Sequence, residues 1–172
     1  MMKYFGPEII LPLSESGFSP SLQKVDNIAD AELVLADDVS GFLKDKDVVL
    51  FSADASLLNS CRNGVLLGGH FLSGKEREFL KAKNIKFFPV NSIIHEGISN
   101  VCDAVMEASR SFSSFCLCVS LSVVELPGGL SVRELLYFLQ RLRVLKNYSC
   151  ACVLGSPSVL TGKLLSELAK PF

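Results

Sequence analysis

The sequence predicts an α/β fold, a parallel sheet with helices on both faces. Three observations carry that reading. Short apolar runs alternate with helix-period segments along the chain, the pattern that builds a parallel sheet with crossover helices. The runs are continuous in polarity rather than alternating, as in VVLFS at 48–52 and FCLCVSL at 115–121, which fits strands buried on both faces. Hydrophobic residues make up 49% of the chain and mean hydropathy is +0.38, enough to fill such a core.

At 172 residues the chain has room for one domain spanning 1–172, with 1–32 as an irregular lead-in. Gly6, Pro7, Pro12, Gly17 and Pro20 punctuate that lead-in and leave space for one strand near Lys3 and Phe5. Beyond it, the apolar runs place strands at 33–36, 48–52, 65–67, 86–88, 115–121 and 150–154. Helical periodicity between them places helices at 38–44, 53–61, 75–83, 93–110, 132–146 and 157–169. Two helices open with a capping box, Ser73 with Glu76 and Ser131 with Glu134, in which hydroxyl and carboxylate satisfy orphan amides reciprocally. Ser156 before Pro157 reads as a third start, with Pro at the first helical position.

Composition also excludes classes of function. There are 17 basic and 18 acidic residues, with no basic stripe interleaved with aromatics, so no nucleic-acid partner is expected. No apolar run approaches the ~18 residues of a membrane span. The start, MMKYFGPEIILPL, has one Lys, a short apolar stretch broken by Pro12 and no cleavage pattern, so the expected location is cytoplasmic. The six cysteines are then expected as thiols rather than disulfides.

Four stretches bear on chemistry. In VVLFSADASLL, Ser52, Asp54 and Ser56 fall two apart at the end of a buried strand, where sites in parallel sheets lie. Residues Gly69 to Glu76 fit G-x-x-x-x-G-K, but Glu76 replaces the hydroxyl that would hold Mg²⁺ and its carboxylate would repel phosphate. Cys116 with Cys118 and Cys150 with Cys152 form two C-x-C pairs, each with both thiols on one strand face. They read as small buried hydrophobes, or as four zinc ligands if the strands are neighbours. His70 and His95, the only histidines, lie on different segments and read as structural or surface residues.

From Gly64 onward the order of segments becomes specific. GVLLGGHFLSGKEREFLKAKNIKFFPVNSIIHEGI, FCLCVSLSVVELPGGLSVRELLYFLQRL and CACVLGSPSVLTGKLLSELAK follow one another, with Gly128 to Glu134 reading GGLSVRE. This resembles the ureohydrolase family, the arginases and agmatinases, which carry GGL[ST]-x-RE and hydrolyse guanidino groups on two manganese ions. The resemblance implies a three-layer arginase-like fold, here truncated, and extends back to Leu33.

At the metal ligands the sequence departs from the family. Where the family has Asp-Ala-His-Ala-Asp, this chain has Ser52, Ala53, Asp54, Ala55 and Ser56; where it has Asp-x-Asp-x-x-Asp, the chain has Ser120, Ser122 and Glu125. Val39 falls where the Gly-Gly-Asp-His-Ser turn carries its histidine, and Leu154 where a Glu receives the guanidinium. The Pro- and Gly-rich loop between Glu125 and Pro127 shrinks almost to nothing. Bridging two divalent ions requires several anionic or imidazole donors, and serine hydroxyls are weak neutral ligands.

The expectation is therefore a ureohydrolase-like protein without catalysis, with a binding or assembly role, in a homo-oligomer or beside an active relative. The resemblance places Arg133 and Glu134 at the subunit interface. Two alternatives belong to other classes. One is a divergent hydrolase of C–N bonds holding Mn or Mg on Asp38, Asp54 and Glu125; the other is a zinc module on Cys116, Cys118, Cys150 and Cys152.

Overall fold

The computed structural model describes residues 1–8 and 22–170. Alternation along its central strands sets up the layers. In the strand Asp47–Ser52, Val49 and Phe51 pack on one side of the sheet while Val48 and Leu50 pack on the other, and all four are fully buried. A strand buried on both faces needs a helical layer on each.

Among the described residues the strands are β1 Met2–Phe5, β2 Leu22–Lys24, β3 Leu33–Ala36, β4 Asp47–Ser52, β5 Asn63–Gly68, β6 Lys86–Pro89, β7 Phe115–Ser120 and β8 Tyr148–Leu154. They form one sheet in the order β2-β1-β3-β8-β7-β4-β5-β6 with every pairing parallel. The helices are α1 Ser40–Leu43, α2 Gly74–Ala82, α3 Val90–Glu96, α4 Ile98–Arg110, α5 Ser122–Glu125, α6 Val132–Leu142 and α7 Val159–Leu168. The layer of α4, α6 and α7 covers one face, centred on Phe51, Phe115 and Phe138. The opposite layer comprises α1, α2 and the turn around Leu58, packed over the strand cysteines. No helix among the described residues is long and apolar enough to cross a membrane.

The connection from β3 to β4 passes across β8 and β7, so earlier strands lie to one side and β4 to β6 to the other. The centre of the sheet, where chain direction diverges, is the place where parallel sheets open a crevice at their carboxyl ends. Ser52, Ser120 and Leu154 end the three strands there.

Several expectations are corrected. The lead-in holds the strand expected near Lys3 and Phe5 as β1, and in addition β2 and a 3-10 turn at Ile28–Asp30, because the parallel edge of the sheet supplies backbone partners that composition does not reveal. Pro12, Gly17 and Pro20 lie outside the described residues. The helix expected at 53–61 is a loop with a 3-10 turn at Ser56–Asn59. Asp54 Oδ1 takes both the Ser56 N–H, at 3.0 Å, and the Ser56 hydroxyl, at 2.6 Å, so a side chain supplies the local bond that a helix would have used.

The helix expected at 93–110 divides into α3 and α4 at Gly97, whose φ of 83° a helix cannot accommodate. The helix expected to reach 146 ends at Leu142. The last helix begins at Val159 rather than 157, because Ser158, not Ser156, caps it: Thr161 Oγ1 accepts the Ser158 N–H at 2.7 Å and the Thr161 N–H returns to Ser158 Oγ at 3.1 Å. A hydroxyl at the third helical position thus does what Glu76 and Glu134 do in α2 and α6. The short helix α5 had no sequence signal.

Candidate functional site at the carboxyl ends of β4, β7 and β8

Three hydroxyls meet where the central strands end. Ser120 Oγ lies 2.9 Å from Ser122 Oγ, and Ser122 Oγ lies 3.4 Å from Ser52 Oγ. The Ser122 hydroxyl also accepts the Ala53 N–H at 3.1 Å, and Ser52 Oγ accepts the Asp54 N–H at 3.3 Å. The short helix α5 brings this about, since it turns the chain after β7 so that Ser122 leans back over β4. Each hydroxyl has a partner, so the group is self-satisfied despite its burial.

Of the other residues singled out by sequence, Glu125 and Leu154 share a cleft with Ser120 and Ser122, and the rest lie apart. The Asp54 carboxylate is engaged by Ser56. Val39 is fully buried in the apolar layer under α1, and the neighbouring Asp38 is exposed and accepts the Ser40 N–H at 2.9 Å. Those Ser40 bonds hold the Asp38 carboxyl below the ordinary carboxylate range. Glu125 is exposed at the end of α5. Among the described residues, no group of three or more His, Cys, Asp or Glu side chains is arranged to hold a metal ion.

A cleft of about 370 Å³ opens beside the hydroxyls. Ser120, Ser122, Glu125 and Leu154 line it together with Gly155 and Ser158. It joins positions from both β7 and β8, with one carboxylate, several hydroxyls and apolar floor from Leu154. Ser52 and Ser56 do not line it. Ser158 reaches the cleft because the last helix is capped there rather than at Ser156, a start that the S-x-x-T spacing of Ser158 and Thr161 signals.

Two neighbouring features complete the surroundings. Glu76 does more than cap α2: Oε2 takes the Ser73 N–H at 2.8 Å, while Oε1 takes the Ala55 N–H at 2.9 Å, tying the loop after β4 to α2. The loop that resembled a phosphate cradle is thus closed by its own carboxylate. His70, in the turn after β5, has both ring nitrogens buried without a hydrogen bond of normal geometry, its ring edge-on to Phe71 with centroids 5.3 Å apart. A Cβ at Gly129 would meet the Val123 carbonyl oxygen and His70 Cε1, so that close approach requires glycine. Burial pulls the His70 pKa below its usual 6.5, against an upward pull from the Leu126 backbone. His95 lies exposed on α3, far from this arrangement in the chain.

Away from the cleft, Glu134 is engaged in its capping box, with the Ser131 N–H and hydroxyl each 2.7 Å from Oε2. Arg133 is exposed, and lines a groove of about 600 Å³ between α6 and α7 with Val132, Leu136, Tyr137, Gln140 and Lys163.

Comparison with solved structures places this architecture. The arginase of Bacillus subtilis superposes with a TM-score of 0.66 at 17% identity, covering 81% of this chain and 72% of that one. The arginase of Bacillus cereus gives 0.65 at 17% identity, covering 81% and 71%. Formimidoylglutamase from Bacillus subtilis gives 0.60 at 14% identity, covering 80% of this chain and 56% of that one. The chain therefore has the arginase-like α/β fold of the ureohydrolases. A scan of family models finds no match, and a search of curated proteins finds none.

The two manganese ions that the fold family implies do not fit the residues present. The carboxyl ends of β4 and β7 offer neutral hydroxyls hydrogen-bonded to one another, and the carboxylates of Asp38, Asp54 and Glu125 do not converge.

Proposed function

We propose that this chain is a ureohydrolase-like protein without hydrolase activity, whose role is binding or assembly. The mutual bonding of Ser52, Ser120 and Ser122 is the observation that carries this reading. Activating a water between two metal ions takes anionic and imidazole donors. Here the corresponding strand ends use hydroxyls to fasten a backbone loop, and Val39 is committed to the core. Leu154 replaces with an apolar side chain the carboxylate that would receive a guanidinium at that position, and the carboxylate that the cleft does hold, Glu125, is exposed.

Assembly, with itself or with an active relative, is supported by the exposed groove beside Arg133 and by the retained GGLSVRE stretch. Binding is supported by the cleft beneath Glu125. The test is urea release from arginine and agmatine by protein loaded with excess Mn²⁺, alongside elemental analysis of the purified chain. No activity above the blank and no stoichiometric metal are expected. Manganese-dependent turnover that is abolished by Asp54→Ala would overturn the reading.

A further inference from the structure

Five of the six cysteines share one side of the sheet: Cys61, Cys116, Cys118, Cys150 and Cys152 all pack in the layer of α1 and α2. All six are free thiols. Register sets Cys116 beside Cys150 and Cys118 beside Cys152 on adjacent parallel strands. The four cysteines thus stand as two in-register pairs along the strands, and among the described residues no group of three or more is arranged to hold a metal ion. Neighbouring strands lie about 4.8 Å apart, inside the roughly 4.4–6.8 Å between Cα atoms that a disulfide spans. A row of pairs suits a two-sulfur bond.

Exposure distinguishes the members of the row. Cys150 is 7% exposed, whereas Cys116, Cys118 and Cys152 are at 0%. The Ser149 hydroxyl donates to Cys150 Sγ at 3.7 Å. The β7–β8 register also shifts next to this pair, between Phe115 and Cys116. Cys150 is thus the entry point, and Cys116 is its in-register neighbour.

We propose that Cys150 and Cys116 form a redox modification site, converted by a small-molecule disulfide into one bond tying β8 to β7. The Cys150 thiolate attacks a sulfur of the reagent, making a mixed disulfide and releasing one thiolate, which takes up the proton that Cys150 gave to solvent. Cys116 then attacks the Cys150 sulfur, expels the second thiol and passes its own proton to it. Two protein thiols are oxidised and one reagent disulfide is reduced to two thiols. The apolar layer disfavours thiolate, so the reaction follows local opening of the start of β8. Its consequence lies at the other end of the same strands, where Ser120 and Leu154 pair in register and line the cleft. The bond stiffens the two strands that carry it.

The test is incubation of the reduced 172-residue chain with oxidised glutathione, followed by thiol titration in denaturant and peptide mapping after alkylation. The expected result is loss of two of the six thiols, with Cys116 joined to Cys150. Dithiothreitol should restore both. Cys150→Ser should keep all its remaining thiols and Cys118→Ser should react as wild type does. A bond involving Cys152 or Cys118, mixed disulfides alone, or six intact thiols would overturn the proposal; should a variant fail to fold, the wild-type map alone decides.

Discussion

Ser122 accepts the backbone N–H of Ala53 through its hydroxyl at 3.1 Å, joining the end of β7 to the loop that leaves β4. The two residues are 69 positions apart in the chain. A carboxylate at this point would carry charge into a partly buried junction of strand ends, whereas a hydroxyl can accept from Ala53 and still share a proton with Ser120. The strand ends are therefore closed by hydrogen bonds that serve the fold.

Ser122→Ala is expected to lower stability. Ala53 is fully buried, so its N–H would lose its side-chain acceptor. The expected cost is about 1–3 kcal/mol, the usual penalty for an orphaned buried donor. Urea denaturation measures it, and Ser122→Thr, which keeps the hydroxyl, should recover most of the loss. An unchanged midpoint in the alanine variant would refute the account.

Manganese should not stabilise the protein. A ligand that binds only the folded state at a hundredfold excess over its dissociation constant adds about 2.7 kcal/mol, which a melting curve resolves easily. With Asp54 held by Ser56 and Asp38 by Ser40, no such binding is expected. The melting temperature in millimolar Mn²⁺ should match that in EDTA, and a clear upward shift would contradict the reading of the strand ends.

Glu76→Ala is expected to cost more than the loss of an ordinary helix cap. It removes the acceptor for the Ser73 amide and also the one for the Ala55 amide, loosening the loop after β4. The combined cost should be about 2 kcal/mol, a cap plus one charge-assisted bond partly replaced by water. Burial would raise the Glu76 pKa, but the bonds from Ser73 and Ala55 prevail and lower it from 4.5. Its contribution is therefore intact above about pH 4.5 and declines as pH falls through the lowered value. The alanine variant should show a flatter acid limb in stability against pH, and an unchanged limb would exclude this role.

Much of this architecture could be read directly. Every strand from β3 onward is visible as an apolar run, and in β4, β5 and β7 burial on both faces removes the ambiguity that half-exposed strands carry. The capping boxes of Ser73 and Ser131 were legible for the same local reason. What failed depended on geometry beyond the local pattern. Asp54 and Ser56 looked like two members of one site but bond to each other, and the strand spacing that suggested convergence ends at Ser52. The junction of Ser52 and Ser122 required α5, a single turn too short to leave a periodic signal. The in-register facing of the two C-x-C pairs required knowing that β7 and β8 are neighbours, although each pair's shared face followed from alternation alone.

Stability should also fall between neutral and mildly acid pH because of His70. Its folded pKa is depressed by burial below 6.5, so below that pH the unfolded chain binds a proton that the folded chain refuses. The loss begins as pH drops below about 6.5 and levels off once the lowered folded value is passed. His70→Leu should flatten this window, since an apolar side chain suits the contact with Phe71. His95→Asn, at an exposed site, should leave the slope as it is. Equal slopes in wild type and His70→Leu would remove His70 from the account.

The chain is expected to self-associate, with Arg133 contributing to the contact. Arg133 sits at the start of α6, exposed and without an ion pair among the described residues, above the apolar side chains of Val132, Leu136 and Tyr137. A guanidinium presents a fork that matches a carboxylate with two parallel bonds, so it gives an interface orientation as well as attraction. Glu134, next to it, is already engaged by Ser131 and is not expected to take part. Light scattering at micromolar concentration should report a mass above that of the 18.7 kDa chain. Arg133→Ala should shift the population toward monomer, and added salt should weaken the contact as it screens the charge. A monodisperse monomer in the wild type would refute self-association, while an unchanged oligomer in the variant would retain assembly and exclude Arg133 from it.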